Sequence, residues 1–395
     1  MAAIFAASAG ASTRLVERTR EGGRKILISG GGRCNILPAH VDGSRFVSDS
    51  PSHLVRRIIR SWPLHEQIRF FEREAGIPLV EETESAKLFP VSNRARDVRD
   101  RLLALAERRG ATLVMNAAVT GVDVAAPGWR VEIAGAAPLE ADAVIVATGG
   151  LSVPSTGSDG AGLRFAERLG HTIHPPYPAL TPIVSEPAPF APLAGVSLPV
   201  TITARAREWK AVATGGFVFT HRGYSGPAVL DVSHVAVRSL QRGERADLRV
   251  RWTVLGDAEW NAALRPQGAR SVLAALRAAL PDRLAAMLLE TSDLDASRTL
   301  SNLRRDERQR LIDTLVRFAL PWTGDEGYKK AEVTGGGVSL SEVDSRTMES
   351  RRHRGLYLCG EMLDAFGPIG GHNFLWAWVT GRAAGLAAAR STPYP

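Results

Sequence analysis

The chain has 395 residues, 45% of them hydrophobic and 23% charged, enough to bury a large core in two or three domains. No uncharged apolar run reaches the ~18–20 residues of a membrane span and no signal peptide is visible, so a cytoplasmic protein with no membrane partner is expected. The formal net charge is +8, but the excess is spread along the chain and is nearly all arginine, so no nucleic-acid partner is expected; the clusters Arg56-Arg57-Arg60 and Arg351-Arg352-Arg354 read as solvated faces, with phosphate contact as the lesser alternative. The two cysteines, Cys34 and Cys359, form no CxxC pair, which excludes a zinc ribbon or a dithiol redox centre and suits a reducing compartment.

Residues 1–11 (MAAIFAASAGA) are small and alanine-rich, favouring a helix capped at Gly10. Residues 13–17 (TRLVE) read as a short buried strand ending in Glu17. Helix, glycine turn and acid-ended strand form the second half of a βαβ dinucleotide unit, in which that acid hydrogen-bonds a ribose hydroxyl. An ordinary strand-end carboxylate is the plainer alternative. The first half of such a unit, a strand and a GxGxxG turn that holds a pyrophosphate at the helix N-terminus, occurs nowhere in the sequence.

Residues 24–35 (RKILISGGGRCN) place Gly30, Gly31 and Gly32 in a row, with Ser29, Arg33 and Asn35 as polar handles. Such a run lets a backbone approach a ligand closely, or simply makes a surface turn. Apolar residues at helical spacing predict helices over 52–76 and 94–110, with a hairpin over 77–91 between them. A strand at 112–115 and a meander over 119–124 and 129–133 follow. Residues 142–150 (DAVIVATGG) predict a buried parallel strand running into glycine, the place where open α/β sheets bind ligands. A loop and a helix (163–169) come next.

From residue 184 the composition shifts: strands are expected at 200–206, 216–220 and 246–254, then helices over 257–320. The end returns to the first pattern. VTGGGVSL (333–340) is a Gly-rich turn beside strand residues and GLYLC (355–359) is a buried strand. GPIGGHN (367–373) opens a long apolar helix at 374–389, whose N-terminus suits an anion or a polarised ring edge.

Five ordered stretches, at 23–35, 147–162, 219–230, 333–350 and 356–373, resemble the HI0933-like (YhiN/BaiN, aminoacetone oxidase) family of FAD-dependent oxidoreductases. The resemblance runs from residue 1 to about 390. It implies an α/β, Rossmann-type FAD-binding domain made of residues 1–183 and 326–395, interrupted by a β-barrel-like, β-rich insertion (184–256) and a small helical subdomain (257–325). It implies FAD contacts from Glu17 on the ribose, from Arg24, Lys25, Ser29, Gly30, Gly31, Gly32, Arg33, Cys34 and Asn35 near flavin and phosphates, and from the Val119 backbone at the adenine. Thr148 and Gly149 would stand over the pyrophosphate, and Gly360, Glu361, Gly370, Gly371 and Asn373 along the ribityl chain and ring. His372 and Phe374 depart from the family pattern, which more often has an aromatic hydroxyl and Leu.

The missing strand and turn are the larger departure. A start assigned too far downstream, by roughly 10–15 residues of strand and turn, is expected; if Met1 is the real start, weak or absent FAD binding is expected instead. The implied activity is reduction of an activated C=C or related bond of a small organic substrate, with NAD(P)H as candidate donor; oxidation of small amines, a truncated non-catalytic remnant and a basic nucleic-acid binder are the alternatives. Catalytic residues are not legible. His221 and His372 are candidate proton donors because imidazole titrates near neutrality, although a structural role fits each at least as well. Cys34, beside Arg33, is a candidate low-pKa thiol, with packing as the plainer role. No metal site is expected.

Overall fold

The computed structural model describes residues 1–391. The chain forms two compact units, Met1–Tyr177 with Glu332–Pro395, and Pro178–Ala331.

In the first unit the parallel pairs are short. Arg14–Val16 pairs with Thr112–Val114, and Val144–Val146 with Leu356–Leu358. The far edge of Leu356–Leu358 takes an antiparallel bridge between Tyr357 and Glu349. Among the described residues no ladder joins the two parallel pairs. The strands at 13–17 and 142–150 were expected to be buried, and here the structure corrects the sequence. Leu15, Val16, Val144 and Ile145 are only half-buried, and Ala147 and Thr148 are exposed. A parallel strand becomes a continuous buried run only when both its edges and both its faces are covered.

Helices supply a large share of the core. Ala2–Ser8 lies against the 17-residue helix His372–Ala388, where a side chain on Gly385 would come within 2.3 Å of the Ala2 carbonyl oxygen. The long helix buries residues all round rather than along one stripe, as an interior helix does. The expected helix over 52–76 is two helices, Ser52–Arg60 and Leu64–Arg69, the latter running into a wide turn at Phe70–Glu74. Pro63 ends the first, since proline disfavours helix in the residue before it. Ser52–Arg60 buries Val55, Ile58 and Ile59 at three- and four-residue spacing, each contributing about 1.5–3 kcal/mol. The hairpin is Leu79–Glu82 with Lys87–Pro90, and the meander adds a third strand, Leu139–Ala141.

In the second unit seven strands pair in the order Phe318–Ala319, Asp247–Arg251, Ser197–Arg205, Lys210–Phe219, Gly223–Ser225, Ile183–Val184, Gly324–Asp325. Among the described residues the two end strands do not pair with each other, so this is an open antiparallel sheet and not the expected barrel-like closure. A 15-residue helix, Pro227–Gln241, packs on it. Side chains on Gly215 and Gly216 would sit in contact with Pro227 at 3.4 Å, so the helix starts directly over this stretch of strand. One core, with Trp252, Trp260 and Trp322 at its centre, joins these strands to the helices between Asp257 and Val316.

Candidate functional site

The carboxyl ends of three parallel strands of the first unit carry Glu17, Thr148-Gly149 and Gly360-Glu361. This is the side on which open α/β sheets bind ligands. Cross-links tie the ends together. Arg18, next to Glu17, reaches Asp159 at 2.5 Å. Lys25 bonds both Ser152 and Glu361. Glu361 Oε1 also accepts from the Thr334 amide and hydroxyl, both at 2.9 Å, and from Ser152 Oγ at 2.5 Å. Thr334 Oγ1 in turn accepts the amides of Leu151 (2.7 Å) and Ser152 (3.1 Å). Gly150 must be glycine here, since a side chain would lie 2.4 Å from Thr334 Oγ1. Neither Ser152 nor Thr334 stood out in sequence, although each sits inside a quoted motif. The pair is 182 residues apart, so no local spacing could have marked it.

The glycine run opens as a ligand loop requires. Gly30, Gly31 and Gly32 have φ of 54°, 67° and 84°, and around the Cβ positions of Gly31, Gly32 and Gly360 there is open space. Left-handed glycines turn successive amides toward one side, where they can meet an anion or a ring edge. The Glu17 carboxylate receives the Thr19 amide (2.8 Å) and hydroxyl (2.6 Å) on Oε1, leaving Oε2 for another donor. Amides, a strand-end carboxylate and an ammonium held by Glu361 make a donor set that fits a dinucleotide with hydroxyls, phosphates and a flat ring.

Other residues of the same stretch are occupied elsewhere. Arg33 donates to Glu82 at 2.9 Å and lies over the Phe89 ring at 4.1 Å. Ser29 Oγ bonds the Ile26 carbonyl at 2.7 Å. Cys34 is fully buried, and burial pushes its thiol up to about 11, so it is no low-pKa nucleophile. Arg24 is exposed, and Val119 is half-buried at a bulge in its strand.

At the other wall, Asn373 clamps the Gly367 loop through the Gly367 amide (2.9 Å) and carbonyl (3.0 Å). Gly370 and Gly371 have φ of 104° and 95°, and a side chain on Gly371 would meet the Leu37 backbone at 2.6 Å. His372 is the first residue of the long helix and is 5% exposed. Its ring nitrogens lie near the backbone of Ile369 and His40 without reaching hydrogen-bond geometry. Burial, with Arg45 nearby, lowers its pKa to about 4, so the ring is neutral at physiological pH. His221 is exposed and belongs to the second unit. Asp364, also unforeseen, is buried and collects on one oxygen the Asp49 and Ser50 amides (2.9 and 2.8 Å) and the Ser50 hydroxyl (2.8 Å); burial raises its pKa.

Residues 1–387 match the family model described as HI0933-like protein Rossmann domain. The chain is 33% identical to a ribosomal RNA dihydrouridine synthase of Escherichia coli (strain K12), covering 98% of this chain and 95% of that one. It is 32% identical to a 3-dehydro-bile acid delta(4,6)-reductase of Clostridium scindens, covering 98% and 96%. Among solved structures it resembles a 3-ketosteroid delta1-dehydrogenase of Sterolibacterium denitrificans, with a TM-score of 0.53 at 11% identity over 99% of this chain and 97% of that one, a likeness of fold. No helix among the described residues is long and apolar enough to cross a membrane.

Proposed function

This chain belongs to the HI0933-like family of flavin-dependent oxidoreductases, and on that footing we propose that it reduces the C5=C6 bond of uridine in ribosomal RNA, drawing electrons from NAD(P)H through FAD. The flavin half of this reading rests on one observation: the glycine-opened ends of Val144–Val146 and Leu356–Leu358 are gathered by the Lys25–Glu361–Ser152–Thr334 network, with the Glu17 strand end tied to the same loop through Arg18 and Asp159. The substrate half rests on near full-length similarity to a relative whose name states that reaction. The expectation of no nucleic-acid partner is given up on the same ground.

The uridine double bond is conjugated to a carbonyl, so its far carbon is electron-poor and accepts hydride while its near carbon takes a proton. Reduced FAD, when bound, supplies the hydride. Glu17 would bind a ribose hydroxyl through its free oxygen, and the amides at Gly30–Gly32 and Gly360 would hold phosphate or ring edge. Lys25 would keep a positive charge over this floor, fixed by Glu361 and Ser152. His372 would act as a neutral hydrogen-bonding wall and not as an acid, because its pKa lies well below neutrality.

The test is nucleoside mass spectrometry of protein-free ribosomal RNA incubated with the purified protein, FAD and NADPH or NADH. Dihydrouridine should appear only in the complete mixture. Absence of dihydrouridine, together with reduction of a steroid-like conjugated enone, would move the substrate toward that of the bile-acid reductase. Flavin reduction by small amines with oxygen uptake would replace the reading with an amine oxidase.

A further inference from the structure

A second site lies in the first unit, on the outer face of Ser52–Arg60. A cleft of about 550 Å³ is lined there by His53, Arg56, Arg57, Arg60 and Arg346, with two serines between them. The sequence contains two dense arginine clusters, and the structure treats them differently. In the cluster at 351–354, Arg351 lies 3.9 Å from Asp344 and Arg352 reaches Glu342 at 2.6 Å. Among the described residues, Arg56, Arg57, Arg60 and Arg346 make no ion pair with a carboxylate. The carboxylate of nearby Asp344 is taken by the Arg346 and Thr347 amides (2.8 and 3.3 Å) and by Arg351.

Arg56 and Arg60 stand one helical turn apart, so like charges face each other on one side of the helix. The helix itself is held in place, because Val55, Ile58 and Ile59 fix its opposite face in the core. Four exposed arginines without a carboxylate ion pair line one cleft, and their like charges make it a favourable place for a polyanion. Each fork matches two phosphate oxygens. One phosphate would satisfy a single pair, whereas forks from two separate segments suit successive phosphates of a strand.

We propose that this arginine cleft docks the phosphate backbone of the RNA substrate; the proposal rests on the RNA reading above. Backbone docking fixes position without reading sequence, so base choice is left to the flavin site.

The experiment measures binding of a fluorescently labelled RNA hairpin to the full chain by anisotropy over a range of salt. Each phosphate contact adds about 0.7–0.9 to the slope of log affinity against log salt. The variant R56A/R60A/R346A should lower that slope by about 2–3 and weaken binding roughly tenfold or more at physiological salt. The matched control R249A/R277A/R310A removes three arginines that are already ion-paired and should change the slope little. The lysine version of the cleft variant should keep most of the slope. Equal losses in the cleft and control variants, or binding of anionic lipid vesicles with no binding of RNA, would overturn the proposal. Dihydrouridine formation by a cleft variant that binds RNA as tightly as the control would sink the cleft and leave the function standing. RNA binding lost only in the cleft variant, with no uridine reduction by any form, would sink the function and leave the cleft.

Discussion

Replacing Thr334 with valine keeps the side-chain shape and removes one oxygen. That oxygen is buried, accepts the Leu151 and Ser152 amides, and donates to Glu361. A buried polar group left without a partner costs about 1–3 kcal/mol. Ser152 is fully buried and Leu151 half-buried, so the combined loss should be roughly 2–4 kcal/mol. For a unit of this size each kcal/mol lowers Tm by about 2–4 °C, giving a fall of roughly 4–16 °C for T334V. The same change releases the Leu151 and Ser152 amides from residue 334 and leaves Ser152 Oγ as the loop's remaining bond to Glu361, so FAD retention should fall as well. T334S, which keeps the hydroxyl, should recover most of both. Thermal unfolding by circular dichroism and flavin fluorescence after gel filtration are the two readouts. If T334V melts within 1 °C of the parent and holds FAD equally well, the Thr334–Glu361 link does not organise the site.

Cys34 should resist iodoacetamide at pH 8 in the native protein and react once unfolded in urea, because its thiol sits near 11; native labelling as fast as a free thiol would contradict its burial. His372 is a base whose folded pKa, about 4, lies below its unfolded value near 6.5. Its contribution to stability is therefore complete above pH 6.5 and is lost as pH falls toward 4, by about 3 kcal/mol at the limit. Urea unfolding at pH 7.5 and pH 5 should show a smaller acid loss for H372Q than for the parent; an equal loss would place the titration elsewhere, His234 being the first alternative. G371A should be poorly soluble or unfolded, since its φ of 95° disfavours a side chain and the added carbon would press on the Leu37 backbone. A well-folded G371A that binds FAD normally would refute that contact.

Much of this architecture was legible because it is written in local patterns. Alternating and helical spacings marked the hairpin at 79–90 and the helix Ala95–Arg108, and apolar runs into glycine marked Val144–Val146 and Leu356–Leu358. The helix Pro227–Gln241 was missed. Its Val229, Val232, Val235 and Val237 are β-branched residues that read as strand, and only packing on the sheet overrides that preference. The barrel-like closure was wrong for a related reason, since strand propensity says nothing about which edges meet.

The sequence by itself determined the family, the glycine loops and the fact that residues from both ends of the chain make one unit. Tertiary structure decided which polar groups of those motifs are free. Arg33 is turned onto Glu82 and Phe89, whereas Lys25 is held by Ser152 and Glu361, partners 127 and 336 residues away. It also decided that one arginine cluster is neutralised and the other is left bare. Backbone conformation answers mainly to near neighbours, but charge pairing, desolvation and open space depend on residues that only the folded chain brings together.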